Sequence, residues 1–255
     1  MNKELEHYSH KFTEESSIIK LEYERIKNLL SKIPKSKKIL EVGCANGRIL
    51  NNIKSQFKVG IDIILYPLNK IKANTIRGSI SNLPFRKNCY DLIICSEVLE
   101  HLDKITFEKS LKELARVSSK FILVSVPFKE NLEAKYGKCK KCGNVFHVFL
   151  HKRNFNRNGM LSLFNDFKLV KTYFHGKKYQ YPDIFRRLKR MTNNFFRTNN
   201  VVCPNCGVEN ACQKINLINK FISLLEELYK YIFVFDKIRR EYPSWIICLY
   251  KKEKK

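Results

Sequence analysis

The sequence predicts an α/β protein with a doubly wound, seven-stranded, mostly parallel sheet. Short, continuous apolar runs alternate with stretches of helical periodicity through the first half of the chain. Strands covered by helices on both faces have such continuous apolar runs. A glycine-containing turn directly follows the first run, at the kind of position where open α/β sheets bind their ligands.

The predicted elements follow one another at short intervals. Strands are predicted at 38–42, 58–62, 75–77, 91–95, 120–126, 167–174 and 245–250. Helices are predicted, from apolar residues at helical spacing, at 12–33, 46–56, 67–73, 104–117, 157–164 and 215–235.

Three segments are expected along the chain. Residues 1–35 are predicted to form a helical cap, which lies either over the ligand or against the sheet edge. Residues 36–128 form the ligand-binding core. Residues 129–255 complete the same domain with its last two strands and a helical insertion.

Composition limits the possible functions. The 255-residue chain has 44% hydrophobic residues, enough for a full core. It has no apolar run long enough to span a membrane and no signal-peptide stretch, so a cytoplasmic protein is expected, with a peripheral membrane location left open. The net charge of +25 indicates either an anionic partner (nucleic acid or a membrane surface) or a compositional bias. The basic, aromatic run at 181–197 is the expected contact, or a solvated helix face.

The turn after the first strand predicts an adenosine-like ligand. Gly43 and Gly47 lack a Cβ, so a ligand can approach the backbone closely and the chain can take positive φ. Asp62 follows the second apolar run, where an acid can accept hydrogen bonds from both ribose hydroxyls. A tight turn without a ligand is the alternative interpretation.

The spacing of this turn distinguishes it from a dinucleotide site. It is E-x-G-x-x-x-G rather than G-x-G-x-x-G. This turn resembles the first motif of the class I S-adenosylmethionine-dependent methyltransferases, a Rossmann-like family. The runs at 78–85 and 90–102 are similar to the next two motifs of that family. The resemblance implies methyl transfer from S-adenosylmethionine, and a last strand that pairs antiparallel beside the fifth.

The resemblance also implies roles for individual residues. The expected cofactor-binding residues are Glu41, Gly43, Cys44, Gly47, Asp62, Ile63, Ser79, Ile80, Cys95 and Ser96. The chain departs from the family pattern at Ala45, where a glycine is expected, and at Ser79, where an acid is usual. Serine can still accept a hydrogen bond from the adenine amino group, so we expect binding to survive.

Two cysteine knuckles predict a metal site. Cys139 and Cys142 form one C-x-x-C-G run, and Cys203 and Cys206 form the other. Four thiolates are the closed tetrahedral ligand set of structural Zn²⁺, and the distance between the knuckles along the chain requires the fold to bring them together. The alternatives are a redox pair or unrelated buried thiols, with His147 or His151 as replacement ligands.

The acceptor side is less well defined. His147 and His151 follow the fifth strand, where the family builds its acceptor pocket, and a neutral imidazole there could take a hydroxyl proton near pH 7. His101 is interpreted mainly as a structural histidine. The expected function is methyl transfer to a small molecule or to a sugar of a surface polysaccharide or lipid-linked glycan. The alternatives are an RNA methyltransferase and a non-catalytic module that binds the cofactor.

Overall fold

The computed structural model describes residues 16–64, 71–179, 201–209, 220–222, 224–225, 228 and 241–253. The predicted basic run at 181–197 lies outside them, as does most of the predicted helix at 215–235. The chain divides into two compact units. The described residues of the sheet unit come from Glu14–Glu130, Lys152–Gly176 and Ser244–Lys255, and those of the cysteine unit come from Asn131–His151 and Lys177–Pro243.

The sheet unit contains the predicted seven-stranded sheet. Its strands are β1 (Lys38–Val42), β2 (Phe57–Asp62), β3 (Asn74–Arg77), β4 (Tyr90–Ser96), β5 (Ser118–Pro127), β8 (Phe167–His175) and β11 (Trp245–Lys252). Their order is β3-β2-β1-β4-β5-β11-β8. The first five strands pair in parallel. The expected antiparallel pairing of the last strand beside the fifth is confirmed, and β11 is also antiparallel to β8.

Three helices accompany this sheet: α1 (Ser16–Leu30), α2 (Lys104–Val117) and α3 (Arg157–Leu161). Helix α2 has the predicted bounds because Asp103 caps its first turn, accepting a hydrogen bond from the Thr106 N–H. The strands are apolar on both faces. In β4, Ile93 belongs to one buried cluster and Leu92 to the other. A sheet that buries both faces explains why the predicted strands lacked polar alternation.

The predicted helix at 46–56 is wrong. Turns and a single 3-10 turn, Leu50–Asn52, occupy this segment. Side chains take the carbonyl groups that a helix would use, because Asn52 Nδ2 donates to the Arg48 carbonyl and Lys58 Nζ donates to the carbonyls of Leu50 and Ile53. Asparagine competes with helical hydrogen bonds in this way. Of the predicted helix at 67–73, only 71–73 are described, and they are not helical.

The cysteine unit contains two short antiparallel pairs. Strand β6 (Tyr136–Lys138) pairs with β7 (Val145–His147), and β9 (Lys178–Tyr179) pairs with β10 (Glu241–Tyr242). A separate apolar cluster, which includes Phe146, Val148 and Val201, forms its core around the cysteines. Within the described ranges, the structure has no helix that is both long and apolar enough to cross a membrane.

Candidate active site

The turn after β1 is a tight loop held against two neighbouring segments. Gly43 and Gly47 have φ values of +73° and +77°, in the region that favours glycine. A Cβ placed on Gly43 would overlap Cγ2 of Val98, which follows β4. The N–H groups of Gly43 and Cys44 both donate to the Ile61 carbonyl, at 2.8 and 3.3 Å. The N–H groups of Gly43 and Cys44 are therefore already engaged within the fold.

Asp62 fixes the same loop from the end of β2. One carboxylate oxygen accepts the Ala45 N–H at 2.8 Å, and the other accepts the Ile64 N–H at 2.9 Å. Burial raises the pKa of Asp62, and these backbone hydrogen bonds partly oppose the shift. A carboxylate that is already oriented by two amides is well prepared to accept further hydrogen bonds from a ribose.

Ala45, one departure from the family pattern, makes its bond to Asp62 from a strained backbone conformation. Ala45 has a φ of +44°, which is strained for a residue with a Cβ. We expect Ala45→Gly to raise the free energy of unfolding by about 1 kcal/mol, because glycine adopts positive φ without this strain. Urea denaturation monitored by circular dichroism measures the change. A destabilised Ala45→Gly variant would contradict this assignment of strain.

Glu41 is a buried acid at the start of the loop. Its side chain is only 2% exposed, the Leu50 N–H donates to it, and burial raises its pKa well above the ordinary value. Its Oε2 has no hydrogen-bond partner among the residues that the structure describes. Because an orphaned buried carboxylate oxygen is costly, a cationic ligand group would fit here. The α-ammonium group of S-adenosylmethionine has that chemistry.

The other predicted cofactor residues lie at the carboxyl ends of neighbouring strands. Ile63 is 49% exposed and offers an apolar surface, whereas Ile80 and Cys95 are buried in the main core cluster. The Ser79 and Ser81 hydroxyls are hydrogen-bonded at 2.9 Å. Ser96 accepts a hydrogen bond from Arg25 Nη1 at 2.8 Å. Of the predicted cofactor residues outside the loop, Asp62 is the one for which the described residues show a direct hydrogen bond to it.

Glu97 is a further candidate site residue, which the sequence analysis missed. It follows β4 with a φ of +56°, an uncommon conformation for a non-glycine residue that is often found at functional sites. Trp245 Nε1 donates to its Oε2 at 2.9 Å, and Arg25 Nη1 lies 3.8 Å from its Oε1. The sequence did carry a signal for Glu97, because Glu97 and Glu100 lie in the same motif as His101.

The four predicted cysteine ligands meet in the cysteine unit. The Sγ atoms of Cys139, Cys142, Cys203 and Cys206 all lie within 4.8 Å of one another, and all four are free thiols. The glycine after each knuckle has positive φ, and the Lys141 N–H points at Cys139 Sγ at 3.4 Å. Separations of this size suit four thiolates around one Zn²⁺ ion.

The electrostatic state of the thiols agrees with a shared site. Hydrogen bonding by the Asn144 backbone lowers the pKa of Cys142 to about 6. Burial raises the pKa of Cys203 to about 12. One exposed thiol therefore ionises readily, while its buried neighbour ionises only if a cation compensates its charge.

The two predicted catalytic histidines stack on each other in the cysteine unit, with ring centroids 4.9 Å apart. His147 is 4% exposed. Its Nδ1 accepts the N–H groups of Phe149 and His151 at 3.3 and 3.1 Å. An Nδ1 that accepts two amides places the proton of a neutral imidazole on Nε2. This geometry makes His151 the better candidate base of the two.

Comparisons with known proteins agree with the fold and the loop. A family model described as a methyltransferase domain matches residues 40–120. The chain is 30% identical over 170 residues to the uncharacterized protein MJ0638 of Methanocaldococcus jannaschii, a match that covers 64% of this chain and 69% of that protein. It is 33% identical over 109 residues to the tRNA (carboxymethyluridine(34)-5-O)-methyltransferase of Arabidopsis thaliana, covering 40% of this chain but 27% of the plant enzyme.

A solved structure extends the agreement to the whole fold. The SAM-dependent methyltransferase from Archaeoglobus fulgidus superposes with a TM-score of 0.51 at 15% identity, covering 96% of this chain and 98% of that one. The sheet, the glycine loop and the matched domain define a class I S-adenosylmethionine-dependent methyltransferase. Within that class, the chain belongs to the same family as MJ0638.

Proposed function

We propose that the protein transfers a methyl group from S-adenosylmethionine to a hydroxyl oxygen of a small molecule or sugar, such as a unit of a surface polysaccharide or lipid-linked glycan. Glu41, Asp62 and the glycine loop would hold the cofactor, with Ile63 beside the adenine. The bound cofactor supplies an electrophilic methyl group on a sulfonium. The protein would then have to orient the acceptor oxygen and exclude water.

One observation supports a hydroxylated acceptor over other acceptors: the glycine loop adjoins a group of acids. Val98 packs against Gly43, and the charges of Glu97 and Glu130 both act on the neighbouring Glu100. We name Glu97, Glu100 and Glu130 the acid set. Carboxylates accept hydrogen bonds from hydroxyls but repel phosphodiesters at close range. A sugar or phenol is therefore better suited to this side of the loop than an RNA backbone.

A second candidate, methyl transfer to RNA, has its own support. The plant relative acts on tRNA, according to its name. Lys140 and Lys141 in the first cysteine knuckle are exposed, and the chain carries a charge of +25. Exposed lysines supply the sequence-independent part of nucleic-acid affinity. In this alternative, the cysteine unit would bind the phosphate backbone.

A methyl-transfer screen with radiolabelled S-adenosylmethionine separates these candidates. Lipid, polysaccharide, RNA and protein fractions of the source cells would each be incubated with the enzyme. Label in a glycan or small-molecule fraction supports the proposal, and label in RNA supports the alternative. Binding of the cofactor with no label in any fraction would favour a non-catalytic module. A heat-denatured enzyme serves as the control for chemical methylation.

We further propose that the four clustered thiols bind one structural Zn²⁺ ion. Metal analysis of the purified protein is expected to find about one equivalent of zinc. Replacing Cys206 with serine should remove the ion and expose the remaining thiols to alkylation, because three thiolates do not close the tetrahedral site. Cys89→Ser, in the sheet unit, is the matched control and should retain zinc. Less than half an equivalent in the parent protein, with all four thiols freely reactive, would contradict the proposal.

A further inference from the structure

The acid set contains a carboxyl group with no internal partner. Glu100 is completely buried. Neither of its carboxylate oxygens has a hydrogen-bond partner among the residues that the structure describes. A buried, unsatisfied carboxyl group is destabilising unless it gains a proton, a hydrogen bond or a cation. The presence of Glu100 beside the glycine loop therefore indicates a binding site for a ligand group or an ion.

The charges around Glu100 favour a cation. Burial is the main reason that its pKa lies well above the ordinary value, and Glu97 and Glu130 raise the pKa further. Arg25 opposes their effect, and its Nη1 also donates to Ser96. A cation bound at Glu100 would offset the charges of the two neighbouring acids.

A nitrogen ligand lies next to the orphaned carboxyl group. A carboxylate oxygen of Glu100 and a ring nitrogen of His101 lie within 4.8 Å of each other. Both residues belong to the same 3-10 turn, Leu99–His101, in the sheet unit. Ligand atoms about 2.0–2.2 Å from one ion can be separated by up to about 4.4 Å. A small adjustment of either side chain would therefore bring both ligands to a common ion.

We propose that Glu100 and His101, with a carboxylate from Glu97 or Glu130, bind a divalent cation of the Mn²⁺ or Mg²⁺ class. Hard carboxylate oxygens with one imidazole select this class over soft-metal ions. The role of the cation, though not its binding, rests on the proposed hydroxyl acceptor. It would coordinate the acceptor oxygen and lower the pKa of that hydroxyl beside the methyl donor.

The test measures Mn²⁺ binding to the zinc-replete full chain by electron paramagnetic resonance of the free ion. We expect one site in the parent protein, and a dissociation constant at least tenfold higher in Glu100→Gln and in His101→Asn. Glu108→Gln, an exposed carboxylate on α2, is the matched control and should bind like the parent. Equal Mn²⁺ binding by the parent and both site variants, or no binding at millimolar Mn²⁺, would overturn the proposal.

Thermal unfolding gives a second measurement that does not depend on activity. A cation that binds only the folded protein stabilises it, so Mn²⁺ should raise the Tm of the parent protein. Glu100→Gln should show a smaller rise, because an amide is a weaker ligand than a carboxylate. A parent protein whose Tm does not respond to Mn²⁺ would count against the site. Calorimetry measures cofactor binding separately, so retained cofactor binding distinguishes failure of the cation site from failure of the proposed function.

Discussion

Replacing Gly43 with alanine is expected to abolish S-adenosylmethionine binding and to destabilise the sheet unit by about 2–5 kcal/mol. Two effects combine at this position. The backbone has a φ of +73°, and the added Cβ would overlap Cγ2 of Val98. Relief of the overlap must move either the loop or the segment after β4, and both border the proposed cofactor site. Chemical denaturation and isothermal titration calorimetry measure the two consequences.

Gly143 provides a matched control for the backbone effect alone. It also has a φ of +73°, but no atom lies within 4 Å of the position that its Cβ would occupy. Gly143→Ala should therefore cost only the conformational part, about 1–2 kcal/mol, and leave cofactor affinity unchanged. Normal cofactor binding by Gly43→Ala would show that the loop does not form the site. Equal losses of stability in the two variants would show that the overlap with Val98 is relieved at no cost.

Replacing Asp62 with alanine is expected to weaken S-adenosylmethionine binding by a factor of about 100 or more. In the proposed site, each hydrogen bond from a ribose hydroxyl to the carboxylate would contribute about 1.5–3 kcal/mol, and two such bonds would be lost. The variant also removes the acceptor for the Ala45 N–H, which releases the strained loop. Calorimetric titration of the folded variant with S-adenosylmethionine measures the change.

Asp91→Ala is the control that distinguishes a loss of ligand contacts from a loss of hydrogen bonds to the backbone. Like Asp62, it accepts two backbone N–H groups, from Lys37 and Lys38 at 3.0 and 3.1 Å. It lies at the opposite, amino-terminal end of the sheet, at the start of β4. Asp91→Ala should therefore reduce stability without changing cofactor affinity. Unchanged affinity in Asp62→Ala would rule out the assignment of the ribose site.

Much of the sheet was predictable because burial on both faces leaves a strong pattern. Strands β1 and β4 are continuous apolar runs, and the structure extends the predicted β4 by only one residue at each end. The predicted helix at 46–56 failed for a local reason that periodicity does not report. The apolar spacing was present, but Lys58 and Asn52 occupy the carbonyls that would have continued the helix.

The candidate site was predicted only in part. Gly43 and Asp62 were identified from the sequence because a glycine turn after one strand and an acid at the end of the next have a recognisable spacing along the chain. Arg25 and Glu97 did not, because their importance comes from a salt bridge between positions 72 residues apart. For His147, a sequence pattern cannot show that Nδ1 accepts two amides of its own turn. The spacing of residues along the chain identifies motifs, whereas the pairing of distant side chains and the site of protonation on a histidine depend on the completed fold.

The position of β11 in the sheet affects how the protein can fold during synthesis. Strand β11 lies between β5 and β8 and pairs with both. Until residues 245–252 have left the ribosome, β5 and β8 have no partner on these sides, and unpaired strand edges promote aggregation. The glycine loop and Asp62 belong to strands that are synthesised before β11, yet the sheet that supports them is complete only once β11 has been added. A chain arrested before β11 should therefore depend on chaperones, while release of this short segment should complete the sheet in one step.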